Sequence, residues 1–211
     1  MSESLPQQKY QVRFDVGLAG FQALAADADV IVLVDALPTV GDTPPDAVGP
    51  AGAVAGPVTS LAPPTPFGEH LVIVADLGNP ARVAQWVLAR QTEKADRFSV
   101  AVVAVGERRR DGSPRPAVED FLLAGEVIDE LSRLGIDHCS PEAAAPSAGF
   151  LGLHRALRHL VSASETAVAL RAAGRAEEIR AAVELAKPQA TADAARQSAE
   201  IRRVREFRFP A

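Results

Sequence analysis

The chain has 211 residues, with 22 lysines and arginines against 27 aspartates and glutamates, and a formal net charge of -5. That length suits one sizeable α/β domain spanning 1–211, and the acidic balance argues against a nucleic-acid protein, leaving small molecules or other chains as expected partners, a homo-oligomer among them. The single cysteine, Cys139, excludes an internal disulfide and a cysteine-rich metal site, which suits a reducing compartment.

In chain order, Val12 and Phe14 alternate in a short strand that runs into Gly17, and a helix is expected over 18–26. DVIVLV, 29–34, reads as a strand buried on both faces, with Asp35 at its carboxyl end. An aspartate there either serves a site or caps the following turn. Pro38 to Gly68 then holds eight of the sixteen prolines and five of the fifteen glycines, with Asp42 and Asp46 as its only charges. Prolines remove backbone donors and fix φ, so 38–68 is expected to be an insert or flexible loop without helix or ladder.

Order resumes at 70–75 with LVIVA, followed by Asp76, Gly78, Asn79 and Pro80. Proline suits the first helical position and Asn79 the N-cap, so a helix is expected to about Lys94, with Trp86 in the core. Val100 to Val105 is a third buried strand. It ends at Gly106 and leads through a polar loop bearing Arg108, Arg109, Arg110, Asp111, Gly112 and two prolines into a helix. There Val118, Phe121, Leu122, Gly125, Ile128 and Leu131 recur at helical spacing and are expected to face the sheet, with Gly135 closing the helix.

An alanine-rich segment follows Ser140 and Pro141, and a helix is expected over 150–160. Ser164 would cap another helix to about Ala173, and Glu177 to Ala186 reads as an amphipathic helix with Ile179, Val183 and Ala186 inward. Beyond Thr191 a polar helix and an edge strand, VREFRFPA, complete the chain. His138 and Cys139 have no partner at ligand spacing, so no zinc site is expected. Three valine-rich strands, each leading towards a helix, predict an α/β fold: a mainly parallel or mixed sheet covered by layers of helices.

In open α/β sheets ligands bind at the carboxyl ends of the strands. Glu107, Arg108, Arg115, Glu119 and Asp120 all follow the third strand and form the first candidate site. Carboxylates beside arginines suit a magnesium ion with a phosphate ester, oxygen ligands serving the hard cation and guanidinium forks the phosphoryl oxygens. The simpler account is also open: first-turn carboxylates gain up to ~1 kcal/mol from the helix dipole, and the arginines form a solvated turn. No apolar run approaches the ~20 residues that span a bilayer, and the first residues lack a leader pattern, so a cytoplasmic protein is expected.

Several stretches resemble, in order, the 2-phosphosulfolactate phosphatase family: VIVLVDALPT, DLGNPARVAQWV, RPAVEDFLLAGEVIDEL, SPEA, and SASETAVALRAAGRAEEIRAAVEL. They cover roughly Asp29 to Leu185, with a gap at the insert. The resemblance implies a magnesium-dependent acid phosphatase acting in coenzyme M biosynthesis, with 2-phosphosulfolactate, a small phosphorylated acid, as substrate. On it, Asp35, Glu119 and Asp120 would hold Mg2+, Arg115 would offset charge on the transferring oxygens, and Asn79 would orient the water or the ester. The chain departs from the family at Pro38, where an arginine is expected. It also lacks the family's Gly-Gly-Glu-Arg and Asn-Gly-Thr segments between Asp35 and Asn79, and Gly106-Glu107-Arg108 lies elsewhere in the order. These departures carry the alternative: a catalytically silent homologue that binds a small anion or a partner chain.

Overall fold

The computed structural model describes residues 7–39, 71–109 and 111–186. Most of the proline-rich insert, and the helix and strand expected beyond Thr191, lie outside these residues. The first strand, β1 (Val12–Val16), leads into α1 (Gly17–Ala25), β2 (Val30–Val34) and β3 (Leu71–Ala75). Next come α2 (Pro80–Lys94), β4 (Val100–Ala104), a short pair β5 (Glu107–Arg108) and β6 (Pro114–Arg115), and α3 (Val118–Arg133). The remainder is helical: α4 (Pro141–Leu153), a single 3-10 turn (His154–Ala156), α5 (Leu157–Ala163), α6 (Glu165–Ala172) and α7 (Ala176–Leu185).

β1, β4, β2 and β3 lie side by side in that order, and every pair among them is parallel. Parallel neighbours require crossovers, and crossover helices cover both faces, which is why β2 and β4 are apolar at all five positions. Alternate residues serve the two sides. On one side Ile31, Leu33, Val72, Val74, Ala101 and Val103 pack with Phe21, Leu24 and Ala25 of α1. On the other, Val30, Val32, Val34, Ile73, Val100 and Val102 pack with Val83, Ala84 and Val87 of α2 and with Leu123, Val127 and Leu131 of α3. The α/β expectation is therefore met by a parallel four-stranded sheet between helical layers.

Four local expectations are corrected. Helix formation begins at Pro141, well before residue 150, because the Ser140 hydroxyl accepts the Ala143 N–H (3.0 Å) and Pro141 occupies the first turn. The expected polar loop after Gly106 contains an antiparallel hairpin, with Glu107 opposite Arg115 and Arg108 opposite Pro114. Val118, the first residue of α3, is 46% exposed, while Leu123, Ala124 and Val127 further along the helix are buried. Trp86 is half-buried, with the Arg90 guanidinium 5.7 Å from its ring centroid, so it bridges core and surface.

Candidate active site

Three chain turns meet at the carboxyl edge of the sheet: Asp35 to Thr39 after β2, Asp76 to Asn79 after β3, and Gly106 to Glu107 after β4. The first turn of α3 closes over this edge, because β4 feeds it through the β5–β6 hairpin. Glu119 and Asp120 are thereby carried into the interior, at 1% and 3% exposure.

Asp120 joins two of these turns. One carboxylate oxygen accepts the Ala36 N–H (2.9 Å) and the other accepts the Gly106 N–H (2.8 Å). A single side chain thus ties the end of β2 to the end of β4 and fixes the two residues beside Ala36 and Gly106, namely Asp35 and Glu107. Gly106 adopts φ +73°, and a Cβ there would lie 3.0 Å from the Arg115 carbonyl oxygen, so the turn needs glycine twice over. Burial, then the nearby charges of Asp35 and Glu119, push the Asp120 carboxyl well above the usual carboxylate range, while the two backbone amides oppose that rise.

Glu119 is in a different state. Both of its oxygens are buried and neither has a hydrogen-bond partner among the described residues. Its charge raises the carboxyls of both Glu107 and Asp120, which places it between them electrostatically. A buried carboxylate without a donor is costly, so such a group normally awaits a cation or a proton.

Arg115 approaches from the hairpin. Its Nη2 donates to the Thr166 hydroxyl (2.8 Å) and its Nε lies 3.6 Å from a Glu165 oxygen, both at the first turn of α6. Its side chain is 12% exposed, and Nη1 has no hydrogen-bond partner among the described residues. The carboxyl of Glu107 is bonded by the Thr39 side chain and sits in the field of Arg115; burial is the largest influence on it and raises its pKa. Arg175 fixes the far end of the β2 turn by donating to the Thr39 carbonyl (2.7 Å), while Glu178 grips its guanidinium from below.

Asn79 faces inward at 8% exposure. Its side chain makes no cap bond to α2; Oδ1 accepts the Asp76 N–H (3.0 Å) and Nδ2 donates to the Val74 carbonyl (3.3 Å). It folds the turn after β3 and in this structure spends its amide there. Of the five site residues expected from sequence, Asp35, Arg115, Glu119 and Asp120 share one edge and one electrostatic cluster with Glu107, while Asn79 belongs to the neighbouring turn. Thr39, Thr166 and Arg175 escaped sequence reasoning. Thr166 carried the only usable signal, its place just past the Ser164 cap at the start of α6.

Among the described residues no three His, Cys, Asp or Glu side chains are gathered closely enough to form a metal cage. The donor set is nonetheless of the hard-oxygen kind, and magnesium commonly takes only one or two carboxylates, completing its shell with water and substrate oxygens. The orphaned Glu119 carboxylate fits that requirement. Comparison of the chain with protein-family models finds no match, and comparison with curated proteins finds none. Among the described residues no helix is long and apolar enough to cross a membrane.

Proposed function

We propose that the protein is a magnesium-dependent phosphatase that hydrolyses a small phosphate monoester, with the resemblance to 2-phosphosulfolactate phosphatases naming 2-phosphosulfolactate as the first substrate to try. The observation that carries the reading is Glu119: a fully buried carboxylate with two orphaned oxygens, set beside Asp35, Glu107 and Asp120 at the sheet edge where ligands bind. Arg115, anchored on α6 with Nη1 to spare, adds the cation that a phosphoryl group needs.

In this reading Asp35 and Glu119 hold the metal, and Asp120 fixes the backbone that presents them. The bound ion supplies charge neutralisation on the phosphoryl oxygens and a more acidic water. Arg115 binds and orients the same oxygens from the hairpin side. Asp120 and Asn79 keep the turns after β2, β4 and β3 in place, so that the approach of the ester costs little reorganisation. The cytoplasmic setting and the small acidic substrate belong to the same proposal.

The test is phosphate release from 2-phosphosulfolactate and a panel of small monoesters, with and without magnesium. It is paired with thermal melting of the protein and of Glu119→Gln. Turnover is expected only with magnesium. Magnesium is expected to raise the melting temperature of the natural protein and not that of Glu119→Gln. In chelator, Glu119→Gln should melt at or above the natural protein, because the substitution breaks no hydrogen bond of either Glu119 oxygen among the described residues. A folded protein that releases phosphate from no ester sinks the proposal and leaves the silent anion-binding homologue in its place.

A further inference from the structure

Resting on the phosphatase reading, we propose that Thr166 is a positioning residue for the phosphoryl group, acting through Arg115 and making the start of α6 part of the site. Arg115 is held at both ends. Its backbone carbonyl closes on the turn at Gly106, where a Cβ would lie 3.0 Å away, and its side chain leaves the hairpin to reach α6. There Nη2 donates to the Thr166 hydroxyl (2.8 Å), and Nε stands 3.6 Å from a Glu165 oxygen. The two holds are unequal. The Glu165 side chain is 74% exposed, so water weakens its pull, whereas Thr166 is 2% exposed and its bond to a charged donor is sheltered.

Capping of α6 does not need that hydroxyl, because Ser164 is the N-cap and accepts the Ala167 N–H (3.2 Å). The chemistry of the bond favours a ligand-binding role. Thr166 is neutral, so it fixes the guanidinium without cancelling its charge, as a buried carboxylate in that place would. Glu107, opposite Arg115 in the hairpin, lies in the field of that charge, yet no ion pair joins the two among the described residues. In a guanidinium the hydrogen of Nε and one of those on Nη2 lie on the same side, and here that side faces α6. The other edge, made by Nη1 and the second hydrogen of Nη2, has no partner among the described residues. It offers two parallel donors, the pattern that matches two oxygens of a phosphoryl group. A long side chain left to itself samples many rotamers. Fixing one before the ester arrives lowers the cost of binding and of reaching the transition state.

The test is a double-mutant cycle read on two quantities: phosphate release from 2-phosphosulfolactate and p-nitrophenyl phosphate with magnesium, and affinity for inorganic phosphate by calorimetry. The proteins are the natural chain, Thr166→Val, Thr166→Ser, Arg115→Gln, and Arg115→Gln combined with Thr166→Val. Valine keeps the shape of threonine and loses the acceptor, while serine keeps the acceptor. Thr166→Val is expected to lose about ten- to a hundredfold in kcat/KM and to bind phosphate more weakly, and Thr166→Ser to recover most of both. In the Arg115→Gln background the same valine should change either quantity by less than about twofold, since the residue it acts through is gone. A Thr166→Val protein that matches the natural one, or a loss of equal size in both backgrounds, overturns the assignment of Thr166 while leaving the phosphatase reading intact. A natural protein that binds phosphate but hydrolyses neither ester defeats the phosphatase reading alone, and the cycle on phosphate affinity then decides Thr166. One that does neither defeats both. Should Thr166→Val not fold, Thr166→Ala removes the hydroxyl in its place and the same outcomes apply.

Discussion

At the scale of single residues, the carboxylates of the edge divide according to what satisfies them. Asp120 is satisfied by two backbone N–H groups, Glu119 by no group among the described residues, and Glu107 by a hydroxyl and the field of an arginine. Asp120→Asn can keep only one of the two amides, since its NH2 group opposes the other donor. It should lower stability by about 1–2 kcal/mol in urea denaturation at pH 7, and either Ala36 or Gly106 should exchange its amide hydrogen faster. Unchanged stability with unchanged exchange at both amides would remove the clasp described here. None of this division was legible in sequence. The spacing placed Glu119 and Asp120 in a first turn, where both read alike, either as dipole partners or as magnesium ligands. Burial came from the turn that β4 makes into α3, which no local pattern encodes. Arg13 is a parallel case: a charge inside a short apolar strand, it lies fully buried and paired with Asp27, although its sequence surroundings gave no sign of a partner fourteen positions on.

At the scale of elements, helix periodicity served well where one face meets the core and poorly where two do. Helix α3 packs against the sheet, α2 and α4 together, so buried residues occur well outside any single apolar stripe, Glu119 and Asp120 among them. Its contact with α4 depends on Gly125. A Cβ there would come 2.1 Å from the Pro146 carbonyl oxygen and 2.6 Å from its carbon, a clash with backbone that no rotamer relieves. Gly125→Ala is expected to cost about 3 kcal/mol or more, at the top of the usual overpacking range, read as a fall in the urea midpoint; a loss below about 1 kcal/mol would show that the two helices separate freely. At the next residue, burial and the nearby Glu130 push the Glu126 carboxyl up to about 7. Its folded pKa is above its unfolded one, so the stability it contributes is full below its unfolded pKa and lost as pH rises through about 7. Glu126→Gln should flatten the decline in stability between pH 5 and 8 and raise stability at pH 8 by about 1–3 kcal/mol, while at pH 4 the two proteins should unfold together.

At the scale of the whole molecule, the strands were readable because burial on both faces leaves unbroken apolar runs, and the candidate residues follow from their carboxyl ends. Their lateral order was not readable. Runs such as VIVLV and VAVVA are interchangeable by composition, and the order depends on which crossover passes over which strand. The core closes by side-chain packing alone, over both faces of the sheet. Dialysis against a chelator is therefore expected to leave the far-UV circular dichroism at room temperature unchanged, with only the stabilisation added by magnesium binding itself lost. Collapse on metal removal would instead make the cation a structural part of the fold.

The position of β4 reaches beyond the finished structure. It is the strand that joins β1 to β2, pairing Val100 with both Val12 and Val30. While the polypeptide is being made, β2 and β3 can find each other early, but β1 has no neighbour until β4 has emerged. For that interval the ribosome holds an apolar strand with open edges, the kind of surface that sticks to other chains. Messages truncated before Val100 should therefore yield insoluble fragments, whereas full-length translation slowed before that point should show a growing need for chaperones.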